Sequence, residues 1–369
     1  MTLLIAFSSA VWLIILLLPW RPWSTNEQLE PADSKSDPDL TDVTVLIPAR
    51  NEAACIPLTL ASLEKQGNGL AVVVVDDQSS DSTAELTKKS FAGNLRIVQG
   101  KELPERWVGK LWALQQGLEQ VTTPLILLLD ADIELLPGTI EALKNKLISE
   151  RLTLVSLMAD LRKQTFWELI LCPAFIFFFK LLYPFRLGND PRSGVGVAAG
   201  GCILIQADTL RSIGGFAAFK NCIIDDCELA KRVKRSGGRT WIGLTHSVKS
   251  QRGYPTLASF WHMVSRTAFT QLGYSIVWLV ATTLLMVMLF WFPVLGLASS
   301  SIFTNLAAGL GLLLMWSAYL PTVRFYRQTP VLVITLPLVA TLYLLMTWGS
   351  AIRYWGGQRS AWKGRSYRR

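Results

Sequence analysis

The sequence has only two histidines, His246 and His262, in 369 residues. Its five cysteines, Cys55, Cys172, Cys202, Cys222 and Cys227, are odd in number and include no Cys-x-x-Cys pair. Neither histidine is spaced with them as a zinc site requires. A zinc centre and a disulfide framework are therefore excluded, and the thiols read as reduced. A Gly-x-Gly-x-x-Gly turn after the first strand pattern is also missing; Pro48, Ala49, Arg50, Asn51 and Glu52 stand there instead. That removes a nicotinamide-dependent oxidoreductase. Three apolar runs near the C-terminus, roughly residues 274–297, 302–320 and 331–349, almost lack polar groups. A transporter would need such groups inside its spans. The first residues lack a basic stretch and no clear small-residue cleavage site follows. The start therefore reads as an uncleaved signal anchor.

Apolar residues are abundant, at 51%, and they crowd both ends around a mixed middle. This pattern predicts a globular domain held between membrane spans. The formal charge is +9. Nucleic-acid binding is open to any basic chain, but positive residues that flank apolar runs suit lipid headgroups and ligand phosphates better. No nucleic-acid partner is expected. The chain divides into a transmembrane anchor (1–23), a polar linker (24–42), a globular domain with interfacial helices (43–272), a transmembrane region (273–350) and a basic tail (351–369). Residues 3–20 are uncharged and long enough to cross a bilayer. A cytosolic domain at the plasma membrane followed by three full crossings would put the basic tail outside, against the positive-inside rule. One run is therefore expected not to cross fully.

From residue 43 the pattern alternates. Buried strands are predicted at 43–49, 70–77 and 124–132, with helices at 52–66, 82–91, 108–119 and 137–148. Asp81 is placed to cap the second helix. Continuous Val/Ile/Leu strands between helices predict an α/β fold with a parallel sheet covered on both faces. Ligands of such sheets sit at the carboxyl ends of the strands. Residues 166–185 and 255–272 read as interfacial helices, although the first carries Glu168, Pro173 and Lys180.

Acidic residues mark those strand ends. Asp76-Asp77 could accept hydrogen bonds from a nucleobase or ribose; the bland alternative is a helix-capping cluster. Asp130-Ala131-Asp132 offers two hard carboxylates for Mg2+ or Mn2+, which would neutralise charge on a leaving diphosphate. Taken alone the pair could be a solvated turn. Asp225, Asp226 and Glu228 open a helix, where acid-first order matches the dipole. One of the two Asp carboxylates could instead serve as a general base.

Taken in order, Pro48–Glu52, the 74–83 segment, Gly109–Gly117, Asp130–Asp132, Gly200-Gly201, Ser212–Phe216 and 225–232 resemble the family 2 glycosyltransferases. The resemblance spans roughly residues 43–269 and implies a GT-A-like domain. The membrane layout, residues 266–272 and the terminal 362–367 segment are most similar to hopene-associated glycosyltransferases, with ceramide glucosyltransferases close in plan. The resemblance implies a nucleotide-sugar donor and a membrane lipid acceptor. Pro48, Arg50, Glu52 and Asp77 would line the nucleoside pocket, with Asp76 beside them and Lys110 near the base or diphosphate. Asp130 and Asp132 would hold the ribose–phosphate region and metal. Asp226 would be the catalytic base, with Asp225 replacing the family's usual Glu. Of the family's Gln-x-x-Arg-Trp motif only Arg266 survives, to grip the diphosphate. That loss argues against a processive polymer synthase. A polyprenyl-phosphate or other glycolipid transferase, and a non-catalytic membrane scaffold, are the rival readings.

Overall fold

The computed structural model describes residues 1–32 and 37–368. Its centre is an eight-stranded sheet of β1 (Val43–Ala49), β2 (Ala71–Asp76), β3 (Asn94–Gln99), β4 (Leu125–Leu129), β5 (Ile133–Leu135), β6 (Leu154–Asp160), β7 (Cys202–Gln206) and β8 (Thr240–Ser250). The strand order is β3-β2-β1-β4-β7-β6-β8-β5. Every residue of β1 and β4 is buried. Their sequences, apolar but for Thr44, follow, because both faces are covered by helices or loops. Two apolar layers flank the sheet, one around Ile47, Val74 and Leu127, the other around Leu46, Val75 and Leu128.

The sheet is mixed, not parallel throughout. Strands β1, β2, β3 and β4 are parallel, but β7 runs antiparallel to both β4 and β6, and β5 antiparallel to β8. The reason lies in where β7 enters. Its first residue, Cys202, pairs with Leu129, the last residue of β4. The Gly200-Gly201 turn is thereby delivered to the same edge as Asp130, whose N–H donates to the Gly201 carbonyl at 3.1 Å.

The helices of this domain are α2 (Ile56–Leu63), α3 (Thr83–Lys89), α4 (Gly109–Leu118), α5 (Thr139–Ser149), α6 (Phe166–Leu182), α7 (Phe185–Asn189), α8 (Ala207–Ser212), α9 (Asp225–Arg235), α10 (Leu257–Ser265) and α11 (Ala268–Gln271). Glu52 to Cys55 form a turn ahead of α2, so that helix is shorter than its sequence pattern. The predicted 255–272 helix is broken into α10 and α11. Helix α6 starts with a capping box between Thr165 and Glu168. That use explains the buried Glu168, which also accepts the Tyr254 N–H at 2.6 Å. Lys180 donates to the Ser24 carbonyl. Both charges in this apolar helix are thus partnered. The first part of the polar linker lies along β8: Glu27 and Leu29 exchange backbone hydrogen bonds with Leu244.

A second apolar body joins α1 (Thr2–Leu17) to α12 (Ile276–Gly296), α13 (Ile302–Phe325) and α14 (Leu336–Trp355), the last preceded by a 3-10 turn (Pro330–Thr335). Helix α1 ends earlier than expected because Pro19 disfavours helix at the residue before it. Its 16 residues span about 24 Å, short of a hydrocarbon layer of roughly 30 Å. The segments 276–296, 302–325 and 330–355 are long and apolar enough to cross a membrane. Close contacts of small residues bind α1 to them: Ser9 donates to the Ala307 carbonyl at 2.8 Å, and Gly296 lies against Ile5 and Ala308. Helix α14 lies along the globular domain, with the Tyr343 hydroxyl donating to Leu171 at 2.9 Å and the Ser350 hydroxyl accepting from the Phe269 N–H at 3.1 Å. The basic tail then folds as a hairpin, β9 (Gln358–Trp362) and β10 (Arg365–Arg368), and returns to the sheet edge that carries the acidic residues.

Candidate active site

The carboxyl ends of the parallel neighbours β1 and β4 open onto one cleft. Pro48, the penultimate residue of β1, lines it together with Lys110, Asp130, Gly200, Asp225 and Asp226, backed by Phe216 and Phe219. Lys110, near the start of α4, pairs with Asp130 at 2.7 Å. Burial works against its charge, but Asp130, Asp225 and Asp226 outweigh that and hold it above the ordinary lysine range. Burial pushes the Asp130 carboxyl up, and Lys110 opposes that push.

Asp226 sits in the first turn of α9. Its carboxylate accepts the Gly200 N–H at 2.9 Å and the Cys227 N–H at 2.8 Å. A Cβ at residue 200 would come into contact with Asp226 and the Lys110 ammonium, both 3.4 Å away. Burial and the neighbouring Asp225 push the Asp226 carboxyl up to about 6, against the two N–H groups and Lys110. Asp225 acts on both Asp226 and Lys110. Glu228 is drawn away by Arg232, at 2.8 Å one helical turn on, as a plain helix pair would be.

Asp132 pairs through Oδ2 with Arg252 at 2.6 Å, and the same guanidinium holds Glu52 at 2.7 Å. Lys363 in the tail hairpin reaches Glu52 at 2.5 Å, and Arg365 approaches Asp77 at 3.1 Å. Burial first, then the balance of Arg365, Arg50 and Asp76, leaves the Asp77 carboxyl raised to about 6. The carboxylates from distant stretches therefore form one chain of charge, from Asp226 through Lys110 and Asp130 to Asp132, Arg252 and Glu52, then Lys363, Arg365 and Asp77.

Three candidates behave differently from the rest. Asp76 accepts the Ser79 N–H at 3.3 Å and so ties its own loop. Arg50 donates to the carbonyls of Asp77 at 2.5 Å, Gln78 at 3.0 Å and Lys363 at 3.1 Å, clamping three segments. Arg266 caps α10 with its side chain exposed, and its charge is felt by the Tyr254 phenol. Asn51 and Gln78, in the loops after β1 and β2, both adopt left-handed backbone (φ 51° and 56°). Such strain concentrates at functional loops.

Asp130 and Asp132 supply hard oxygens, but among the described residues no group of three His, Cys, Asp or Glu side chains is arranged to hold a metal. Mg2+ is commonly held by one or two carboxylates plus substrate phosphates. The pair fits that arrangement, with the ligand completing the shell. Arg252, Lys363 and Arg365 were not found as site residues by sequence reasoning. Arg252 follows a strand whose pattern was not recognised, and the two tail residues were noted only within a terminal motif.

Residues 44–214 match the family model for glycosyl transferase family 2. This segment is a family 2 glycosyltransferase domain. A 4,4'-diaponeurosporenoate glycosyltransferase of Staphylococcus haemolyticus is 33% identical over 104 residues, 28% of each chain. The same-named protein of Staphylococcus aureus strain MRSA252 is 34% identical over 105 residues, again 28% of each. The chain thus spans little more than a quarter of the length of these relatives. A mannosyltransferase from Pyrobaculum calidifontis, solved with GDP-Man and Mn2+, is 18% identical, with TM-score 0.53, covering 94% of this chain and 99% of that one. That likeness shows the fold. It is the mixed α/β sheet of the GT-A type, here with an apolar helical body attached to the glycosyltransferase domain.

Proposed function

We propose that the protein is an inverting glycosyltransferase that moves a sugar from a nucleotide-sugar to a membrane lipid. Asp226 carries this reading. Its carboxylate is held by two backbone N–H groups at the wall of the cleft, with a pKa raised to about 6. A group so held can take a proton at neutral pH and is oriented before the reaction begins. The acceptor hydroxyl oxygen attacks C1 of the donor sugar, the C1–O bond to the diphosphate breaks, and the hydroxyl proton goes to Asp226. The nucleoside diphosphate departs with the electron pair. One base and one displacement invert the anomeric centre. Asp225 sets the basicity of Asp226 through its charge.

The donor is expected to be a UDP-sugar. Pro48, Arg50, Glu52, Asp76 and Asp77 form its nucleoside end, and Lys110 lies where the diphosphate would meet positive charge. Arg266 is expected to grip the same phosphates. Asp130 and Asp132 would hold Mg2+ or Mn2+, which supplies charge neutralisation for the leaving group. The fold neighbour was solved with Mn2+ and GDP-Man, in keeping with such a site.

A lipid acceptor is supported by exposed apolar residues on α12 and α13, including Val277, Leu284, Phe303 and Leu313, at 60–77% exposure. The Tyr183 hydroxyl, next to Gln271 at 2.5 Å, feels the charge of Asp226 and links the membrane-side helices to the base. A hopanoid is the acceptor that the sequence resemblance suggests; a polyprenyl phosphate or another glycolipid is the alternative. The tail touches the glycosyltransferase domain, so both lie on one side of the bilayer. We assign that side to the cytosol of the plasma membrane, with α12 and α13 crossing as a pair and α14 lying along the surface. The test is a screen of nucleotide-sugars by thermal shift with Mn2+, followed by mass spectrometry of lipid extracts incubated with the best donor. A mass gain of one sugar on a lipid is expected. No transfer to any lipid, with hydrolysis alone, would overturn the acceptor assignment; a scaffold would bind no donor.

A further inference from the structure

Asp77 is fully buried, and among the described residues neither of its carboxylate oxygens has a hydrogen-bond partner. Arg365 lies beside it at 3.1 Å, and its Nη1 is likewise buried without a partner. Buried polar groups are almost always hydrogen-bonded, so two such groups side by side call for a missing third party. An unsatisfied acceptor and an unsatisfied donor thus lie on adjacent side chains. A ligand edge that satisfies both carries an N–H next to a carbonyl or ring nitrogen. The Watson–Crick edge of a nucleobase has that pattern, and proteins read extruded bases through it.

The hairpin is firmly placed there. Arg365 also donates to the Gln78 side chain at 2.9 Å. Its neighbour Lys363 pairs with Glu52 at 2.5 Å and donates to the Asn51 carbonyl at 3.4 Å. Arg50 grips the Lys363 carbonyl. At the hairpin's root Arg359 donates to the Tyr274 hydroxyl at 3.0 Å. The two cations are mostly buried, at 18% and 13% side-chain exposure. Arg365 meets Asp77, and Lys363 meets Glu52, which shares Arg252 with Asp132, so the two cations lead from Asp77 toward Asp132, the direction a bound nucleotide would run from base to phosphates.

We propose that the C-terminal hairpin is the second wall of the nucleotide site, with Arg365 binding the nucleobase edge alongside Asp77 and Lys363 facing the phosphate end. This rests on the glycosyltransferase reading. The test uses the full chain in detergent, titrated with UDP, GDP, ADP and CDP in the presence of Mn2+. Wild type is expected to prefer one nucleotide. Arg365→Ala should weaken that nucleotide at least tenfold and narrow the preference among the four. Arg365→Lys should recover only part, because a single ammonium cannot reproduce the guanidinium fork. Lys363→Ala should weaken all four nucleotides alike. Unfolding midpoints without nucleotide identify any variant lost to misfolding. Hydrogen exchange in wild type gives an independent reading: residues 358–368 should exchange more slowly once nucleotide is bound. Unchanged affinity in Arg365→Ala would overturn the inference while leaving the glycosyltransferase reading intact. So would tighter binding, or faster exchange in the hairpin, since the hairpin would then be a plug that nucleotide displaces. Absence of binding by wild type to all four nucleotides would overturn both.

Discussion

Asp226 lines the cleft and Asp77 is buried just past the end of β2, yet both carboxyls are pushed up to about 6. They reach that value by different routes. Asp226 receives two backbone N–H groups and a nearby lysine, and is raised in spite of them by burial and Asp225. Asp77 receives no hydrogen bond and is raised by burial, with Arg365 and Arg50 only partly restoring its charge. The first is finished by the fold, and its geometry is ready for proton transfer. The second is left incomplete, as a group is when its partner arrives with the ligand. On the proposed function, the same titration point would mark a working base in the first and a recognition group in the second.

The comparison can be broken in several ways. Asp132→Asn should lower transfer by about 10²-fold or more, the scale of one lost electrostatic contact to a developing charge, and should abolish any response to added Mn2+; a steady-state metal titration checks both. Arg252→Ala removes the cation shared by Asp132 and Glu52. It should cost about 2–3 kcal/mol of stability, seen as a lower melting temperature in detergent. Lys110→Met removes a positive charge that favours ionised Asp226. The acidic limb of the pH–rate profile, expected near pH 6 in wild type with the rate rising as Asp226 ionises, should move up by about one unit. The stability change runs the other way. Both carboxyls sit above the ordinary aspartate value of 3.8 in the folded chain, so they favour the folded state when protonated, and stability should fall as pH rises from 3.8 to about 6. Removing Asp77 should flatten that slope, which pH-dependent melting would read. Smallest of all, Thr165→Ala removes half of the α6 capping box and should cost about 1 kcal/mol, with transfer per folded molecule unchanged.

Much of this was legible in the sequence, and the reason is burial. Strands β1, β2 and β4 are covered on both faces, so their Val, Ile and Leu runs stand out, and the carboxylates just beyond them fall at a predictable edge. Strand β8 was not legible. Thr240, Gly243, Thr245, His246 and Ser247 interrupt its apolar pattern, because part of its hydrogen bonding serves the linker and the neighbouring loop. Arg252 follows that strand, and its partners lie 120 and 200 residues away; no local pattern carries such a pairing. The antiparallel entry of β7 was hidden for the same reason, since a short strand after a glycine turn reads alike in either direction. The basic tail looked like a membrane-side charge cluster. Lys363 and Arg365 instead spend their charge on Glu52 and Asp77.

The most direct test compares wild type with Asp226→Asn, measuring sugar transfer to the lipid acceptor and nucleotide affinity on the same preparations. Asparagine keeps the shape but cannot take the proton. Transfer should drop by about 10²–10⁴-fold, the usual contribution of a general base, while nucleotide affinity stays within about twofold, well under the tenfold that 1.4 kcal/mol would give. Transfer at the wild-type rate would contradict the assignment of Asp226 as the base.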